Sequence, residues 1–144
     1  MKKLLIVLLI GFASCSLFDG MKKNSFAYSE REFLPLFVPK GFWKANVQTD
    51  SSGNRRKTFF YQGGGELYFY AGDSARPILP IDTAKNIPKY YPGNVRYYKG
   101  QDNSGLFWRE SQYKSFRFGY RNVSADREAF FDSSINYAAW QLLN

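Results

Sequence analysis

Arg56-Lys57-Thr58-Phe59-Phe60-Tyr61-Gln62, Gly63-Gly64-Gly65 and Glu66-Leu67-Tyr68-Phe69-Tyr70-Ala71 follow one another without interruption, and this stretch decides the fold. The outer two runs are dense in aromatic residues, which suit a pleated, half-buried surface. Three glycines between them read as the connection of a β-hairpin. Just upstream, Trp43, Ala45 and Val47 alternate with Lys44, Asn46 and Gln48, a period of 2 that marks a further strand with one buried face. Thr49-Asp50-Ser51-Ser52-Gly53-Asn54 between them is turn chemistry. Together these segments predict a three-stranded antiparallel meander.

Working outward towards the C-terminus, strands are expected at Asn94–Lys99 and Leu106–Glu110, the second entered through a turn at 100–105. A last run, Tyr113–Asn122, sets Phe116, Phe118 and Tyr120 on one face and Tyr113, Arg117 and Arg121 on the other. The period changes at Ser124. Ser124 or Asp126 suits a helix N-cap, and Asp126 and Glu128 suit the positive end of a helix dipole. Phe131, Ile135, Ala138 and Leu142 then recur at helical spacing, with Tyr137 and Trp140 widening the stripe. The expected fold is α+β, a mostly antiparallel sheet of about six strands packed against a C-terminal α-helix. Between the meander and the later strands, residues 72–93 hold Pro77, Pro80, Pro88 and Pro92, with Tyr90-Tyr91 among them. A loop of this length calls for a functional reason.

Working towards the N-terminus, order is expected from about Phe33, giving one globular domain over 33–144 behind a short tether at 15–32. Before that, Met1-Lys2-Lys3, the apolar run Leu4–Ile10 and the exit Gly11-Phe12-Ala13-Ser14-Cys15 have the layout of a secretory signal peptide over residues 1–14. The apolar run is well below the ~20 residues that span a bilayer. Ala13-Ser14-Cys15 resembles the lipobox of bacterial lipoproteins, with Phe12 in the place the family usually gives to Leu. The resemblance implies cleavage before Cys15, diacylglycerol on its sulfur and residence in the bacterial cell envelope. Ser16 is compatible with onward sorting to an outer membrane. Cys15 is the only cysteine, so no internal disulfide is available. Two or more acyl chains at ~0.8 kcal/mol per buried CH₂ suffice to hold the chain on a membrane.

Removing Lys2 and Lys3 from the 20 basic residues leaves 18 against 12 acidic ones, about +6. Such a charge suits anionic lipid, a glycan or an acidic envelope protein. Export separates the chain from nucleic acid, which is not expected as a partner. The absence of histidine removes the commonest general base, His-assisted nucleophiles and most transition-metal ligand sets. The carboxylates Asp50, Glu66, Asp73, Asp82 and Asp102 sit in or beside turns. A non-enzymatic protein without cofactor or metal is therefore expected. The candidate partner-binding residues are Arg55, Arg56 and Lys57, beside an exposed turn, and Tyr90 and Tyr91, in the long loop. Tyr68, Tyr70, Tyr97 and Tyr98 form either a sugar-stacking platform or ordinary cross-strand packing.

Two wider resemblances bear on the fold. Val38-Pro39-Lys40-Gly41-Phe42, Leu106-Phe107-Trp108-Arg109-Glu110 and Phe118-Gly119-Tyr120-Arg121-Asn122-Val123 look like segments of small exported lipoproteins of Bacteroidota. The order of strands closed by a terminal helix resembles the PsbP-like fold; both imply a sheet-plus-helix sandwich with a binding or assembly role. Alternatively, Gly41-Phe42-Trp43 resembles the Gly-x-Trp signature of lipocalins, implying a β-barrel that carries a small apolar ligand.

Overall fold

A computed structural model describes residues 19–72, 78–82 and 85–144. Nine strands and one long helix appear among them: β1 (Met21–Ala27), β2 (Phe33–Pro39), β3 (Phe42–Thr49), β4 (Arg55–Tyr61), β5 (Glu66–Ala71), β6 (Lys89–Tyr91), β7 (Val95–Gln101), β8 (Phe107–Tyr113), β9 (Phe116–Val123) and α1 (Glu128–Leu143). Seven strands form one antiparallel sheet in the order β3-β4-β5-β9-β8-β7-β6, while β1 and β2 form a separate hairpin. The sheet is open, with β3 and β6 at its two edges. The α+β expectation holds, with one strand more than six in the main sheet. The lipocalin-like barrel does not form, because β3 and β6 lie at opposite ends of the strand order and never pair.

One face of the sheet, here the inner face, carries Phe59, Leu67, Phe69, Phe118 and Tyr120, all buried. The helix supplies Phe131, Ile135 and Ala138 to the same core, and the hairpin supplies Phe26, Leu34, Leu36 and Val38. Phe131 sits with its ring centroid 4.9 Å from Tyr61 and 5.6 Å from Tyr120, both edge-on. Edge-on aromatic pairs add ~0.5–1.5 kcal/mol each to the area they bury.

Five local expectations are corrected. Part of the stretch read as tether is β1, which pairs along its whole length with β2. Its buried apolar residues, Met21 and Phe26, stand five apart, so no period of 2 announces the strand. Strand β3 is present, but Trp43, Ala45 and Val47 face solvent. An edge strand extends past the cover of the helix and hairpin, and a register shift between Phe42 and Lys44 turns Phe42 inward instead. Of the run Tyr113–Asn122, residues 116–122 lie in β9 as expected, but Tyr113 closes β8, and the turn between them has Lys114 at φ 51°. Finally, neither Ser124 nor Asp126 caps α1 with its side chain: the chain enters through a turn in which the Arg127 and Glu128 amides donate to the Ser124 carbonyl. Trp140, expected in the apolar stripe, is exposed.

Candidate functional site

Among the described residues no helix lies over the outer face of the sheet. Part of the long loop crosses it instead: residues 78–82 lie on the outer face and Leu79 is buried there. The loop is held by Glu110 of β8, whose side chain points outward and is only 2% exposed. Its Oε1 accepts hydrogen bonds from the Ile78 amide at 2.7 Å, the Leu79 amide at 3.0 Å and the Tyr68 hydroxyl at 2.9 Å. Arg117 of β9 stands 3.9 Å from the other oxygen. Burial pushes the Glu110 carboxyl above its ordinary range, and these donors with Arg117 pull against that rise. Burial, then the neighbouring carboxylate, pushes the Tyr68 phenol well up, so Tyr68 stays a donor. Arg56 lies over the Tyr68 ring at 5.3 Å, which gives its buried, otherwise unbonded Nε an aromatic face.

This arrangement depends on Gly119. A Cβ there would lie 2.0 Å from the Arg109 carbonyl oxygen and 2.7 Å from the Tyr68 hydroxyl. Only glycine lets β8 and β9 approach while Tyr68 reaches Glu110 across them. Gly100 has a similar role, since a Cβ there would meet the Trp108 indole at 2.9 Å.

Beside the pinned loop opens a cleft of about 250 Å³ lined by Leu79, Pro80, Ile81, Asp102, Trp108, Arg121 and Asn122. Its apolar lining is the loop and the indole, and its polar groups are Asp102, Arg121 and Asn122. Arg121 is paired with Glu66, and Asp102 accepts the Ser104 and Leu106 amides of its own turn. No family model, curated protein or solved structure matches this chain. The cleft must therefore be judged on its own geometry.

A second charged cluster lies on the inner face, between sheet and helix. Asp132 of α1 accepts from Tyr120 at 2.8 Å and from Arg109 at 3.1 Å, and it pairs with Lys99, which also meets Glu128. Arg109 further donates to Asn136 at 3.0 Å and stacks on Tyr97 at 4.2 Å. Burial alone would raise the Asp132 carboxyl, but the bonds from Lys99, Tyr120 and Arg109 outweigh it and hold the group below its ordinary range. Burial likewise opposes the charge on Lys99, and its two carboxylates more than compensate, leaving the amine raised. Glu110 and Asp132, the two most enclosed carboxylates of these clusters, thus stand on opposite sides of the sheet. They cannot flank one substrate, as paired-carboxylate hydrolysis requires.

The residues singled out in the sequence go to different places. Arg55 and Lys57 point inward and tie down the hairpin, Arg55 through the Ala27 and Ser29 carbonyls and Lys57 through Asn24 and the Ser25 carbonyl. Arg56 points outward, so adjacent basic residues on a strand make no common patch. Tyr90 is exposed at the β6 edge and Tyr91 packs against the core. Of the tyrosines considered as a platform, Tyr68 is buried, and Tyr97 faces the helix while Tyr70 and Tyr98 face outward. Cys15, Asp73 and Pro77 lie outside the described residues. No helix among the described residues is long and apolar enough to cross a membrane. The sequence marks Glu110, Trp108 and Arg121 as strand residues and not as site residues. A charged residue at an outward strand position looks solvated until a loop is known to cover it.

Proposed function

We propose that this protein is a bacterial lipoprotein held in the envelope, in the outer membrane, by acyl chains on Cys15. Its domain acts as a non-catalytic binding module for another envelope component, a protein or a glycan. The observation that carries the binding role is the cleft under the pinned 78–82 segment. A buried carboxylate is committed to holding a proline-containing loop across an otherwise bare sheet face, which leaves a preformed apolar concavity with Trp108 at its wall. Indole in a concave, partly apolar site is the usual centre of a protein interface. The carrier alternative is weaker, since the space between sheet and helix is filled by packed aromatic side chains.

Two measurements test this. Mass spectrometry of the protein extracted from membranes should find diacylglycerol on an N-terminal Cys15; an intact leader or a free thiol rules out the anchor. A photo-crosslinking residue at Ile81 should capture one defined envelope component in cells, and the adduct should weaken when Trp108 is replaced by Ala. Capture that is equally strong from Glu30, at the far end of the molecule, would remove the cleft from the proposal.

A further inference from the structure

The first described residues fix one end of the molecule. The Gly20 carbonyl accepts the Lys40 amide at 2.8 Å, and Arg127 donates to the Lys40 carbonyl at 3.0 Å. The antiparallel register brings the start of β3, the end of β4 and the end of β9 to this same pole, through the pairs Phe42↔Tyr61, Phe60↔Glu66 and Glu66↔Arg121. At its β3 corner Trp43 is 65% exposed and leans on Phe60, with centroids 6.1 Å apart. Lys22 lies over Phe42 at 5.6 Å and Lys44 over Phe60 at 6.0 Å, and Lys40 is exposed between them. Among the described residues the ion pairs use none of these three lysines. The acidic groups adjoining the corner are Asp19, Asp126, which is next to Arg127 in the chain, and Glu66, which stands opposite Phe60 and pairs with Arg121.

We infer that this corner, Trp43 with Lys22, Lys40 and Lys44, docks on the anionic headgroups of the membrane that holds Cys15. The inference rests on the lipid anchor proposed above. Only Ser16, Leu17, Phe18 and Asp19 separate Cys15 from Gly20. Five Cα steps reach at most ~18 Å, and a headgroup layer of ~6 Å takes up a third of that. The corner is thus held within ~12 Å of the headgroups, a distance comparable with the ~8 Å over which physiological salt screens charge. Trp43 is three residues past Lys40, so it lies within ~11 Å of Lys40, whose amide meets the Gly20 carbonyl. Indole at headgroup depth flanked by lysine is the chemistry of a membrane interface. Each lysine near an anionic surface strengthens attachment roughly fivefold.

The test uses the full, acylated protein in vesicles of phosphatidylcholine with or without a third of phosphatidylglycerol, the lipids brominated near the headgroup. Tryptophan emission should drop in the anionic vesicles. Trp43→Phe should abolish that drop, and Lys22→Gln/Lys40→Gln/Lys44→Gln should reduce it to the level seen with phosphatidylcholine alone. These four positions lie outside the core, and circular dichroism checks that the variants fold. Emission that is unquenched, or quenched equally without Trp43, in protein that still floats with the vesicles overturns the docking and leaves the anchor standing. Protein that fails to float and carries a free Cys15 thiol overturns both.

Discussion

Replacing Asp132 by Ala removes the acceptor around which the inner cluster is built. Arg109 is 4% exposed and its Nε has no hydrogen-bond partner, so after the change its charge rests on Asn136 and the Tyr97 ring alone. Breaking a buried pair from one side costs ~3–5 kcal/mol. The Asp132 side chain is about a quarter exposed, so the low end applies, ~3 kcal/mol. For a domain between the small and large size classes, 1 kcal/mol moves Tm by ~3–5 °C, giving a fall of ~9–15 °C. Urea denaturation followed by circular dichroism reads the same loss as a lower midpoint at unchanged slope. Replacing both partners, Arg109→Met with Asp132→Leu, should cost well under the sum of the two single changes, because no unpaired arginine is left behind and only the Tyr120 hydroxyl loses its acceptor, at ~1–3 kcal/mol. The pH dependence carries a further sign. Because Asp132 is held below its ordinary range, the unfolded chain binds its proton first as pH falls. Its contribution is therefore whole above pH ~4 and is lost below, as pH falls through the lowered folded value. Asp132→Asn should flatten that acid limb. A loss under ~1 kcal/mol for Asp132→Ala, or a double variant that costs the sum of the singles, would refute the account of this cluster as a closed charge network.

Two further outcomes concern the outer face. Gly119→Ala forces a Cβ against the Arg109 carbonyl and should cost ~3 kcal/mol or more by equilibrium denaturation; a near-neutral result would show that β8 and β9 separate easily. Glu110→Ala removes the shared acceptor of two loop amides and a buried phenol and should cost ~3 kcal/mol. In hydrogen exchange the Ile78 and Leu79 amides should lose protection ahead of the β5 and β9 amides, and unchanged protection there would mean that something other than Glu110 holds the loop.

Local patterning was enough for the meander, the terminal helix and the α+β class, because hydrophobic period and glycine turns act over a few residues. Arg56–Tyr61 and Glu66–Ala71 became β4 and β5 where the aromatic runs put them, and Phe131, Ile135 and Ala138 became the helix face that meets the core. Strand order was another matter. Nothing near Trp43 says that β3 is an edge, so its alternation promised a buried face that the helix and hairpin never reach. Nothing near Met21 says that Pro39, Val38 and Leu36 will pair with Met21, Lys22 and Asn24. The candidate site shows the same division. Arg55, Arg56 and Lys57 were visible as a basic run, yet pleating divides them between two faces, two binding the hairpin and one stacking on Tyr68. Glu110 takes its meaning from residues 31 or more positions away, the Ile78 and Leu79 amides and the Tyr68 hydroxyl. A carboxylate on a strand is an ordinary surface group by its neighbours in the chain; it becomes the pin of a loop only when long-range packing strips its water and supplies donors in exchange.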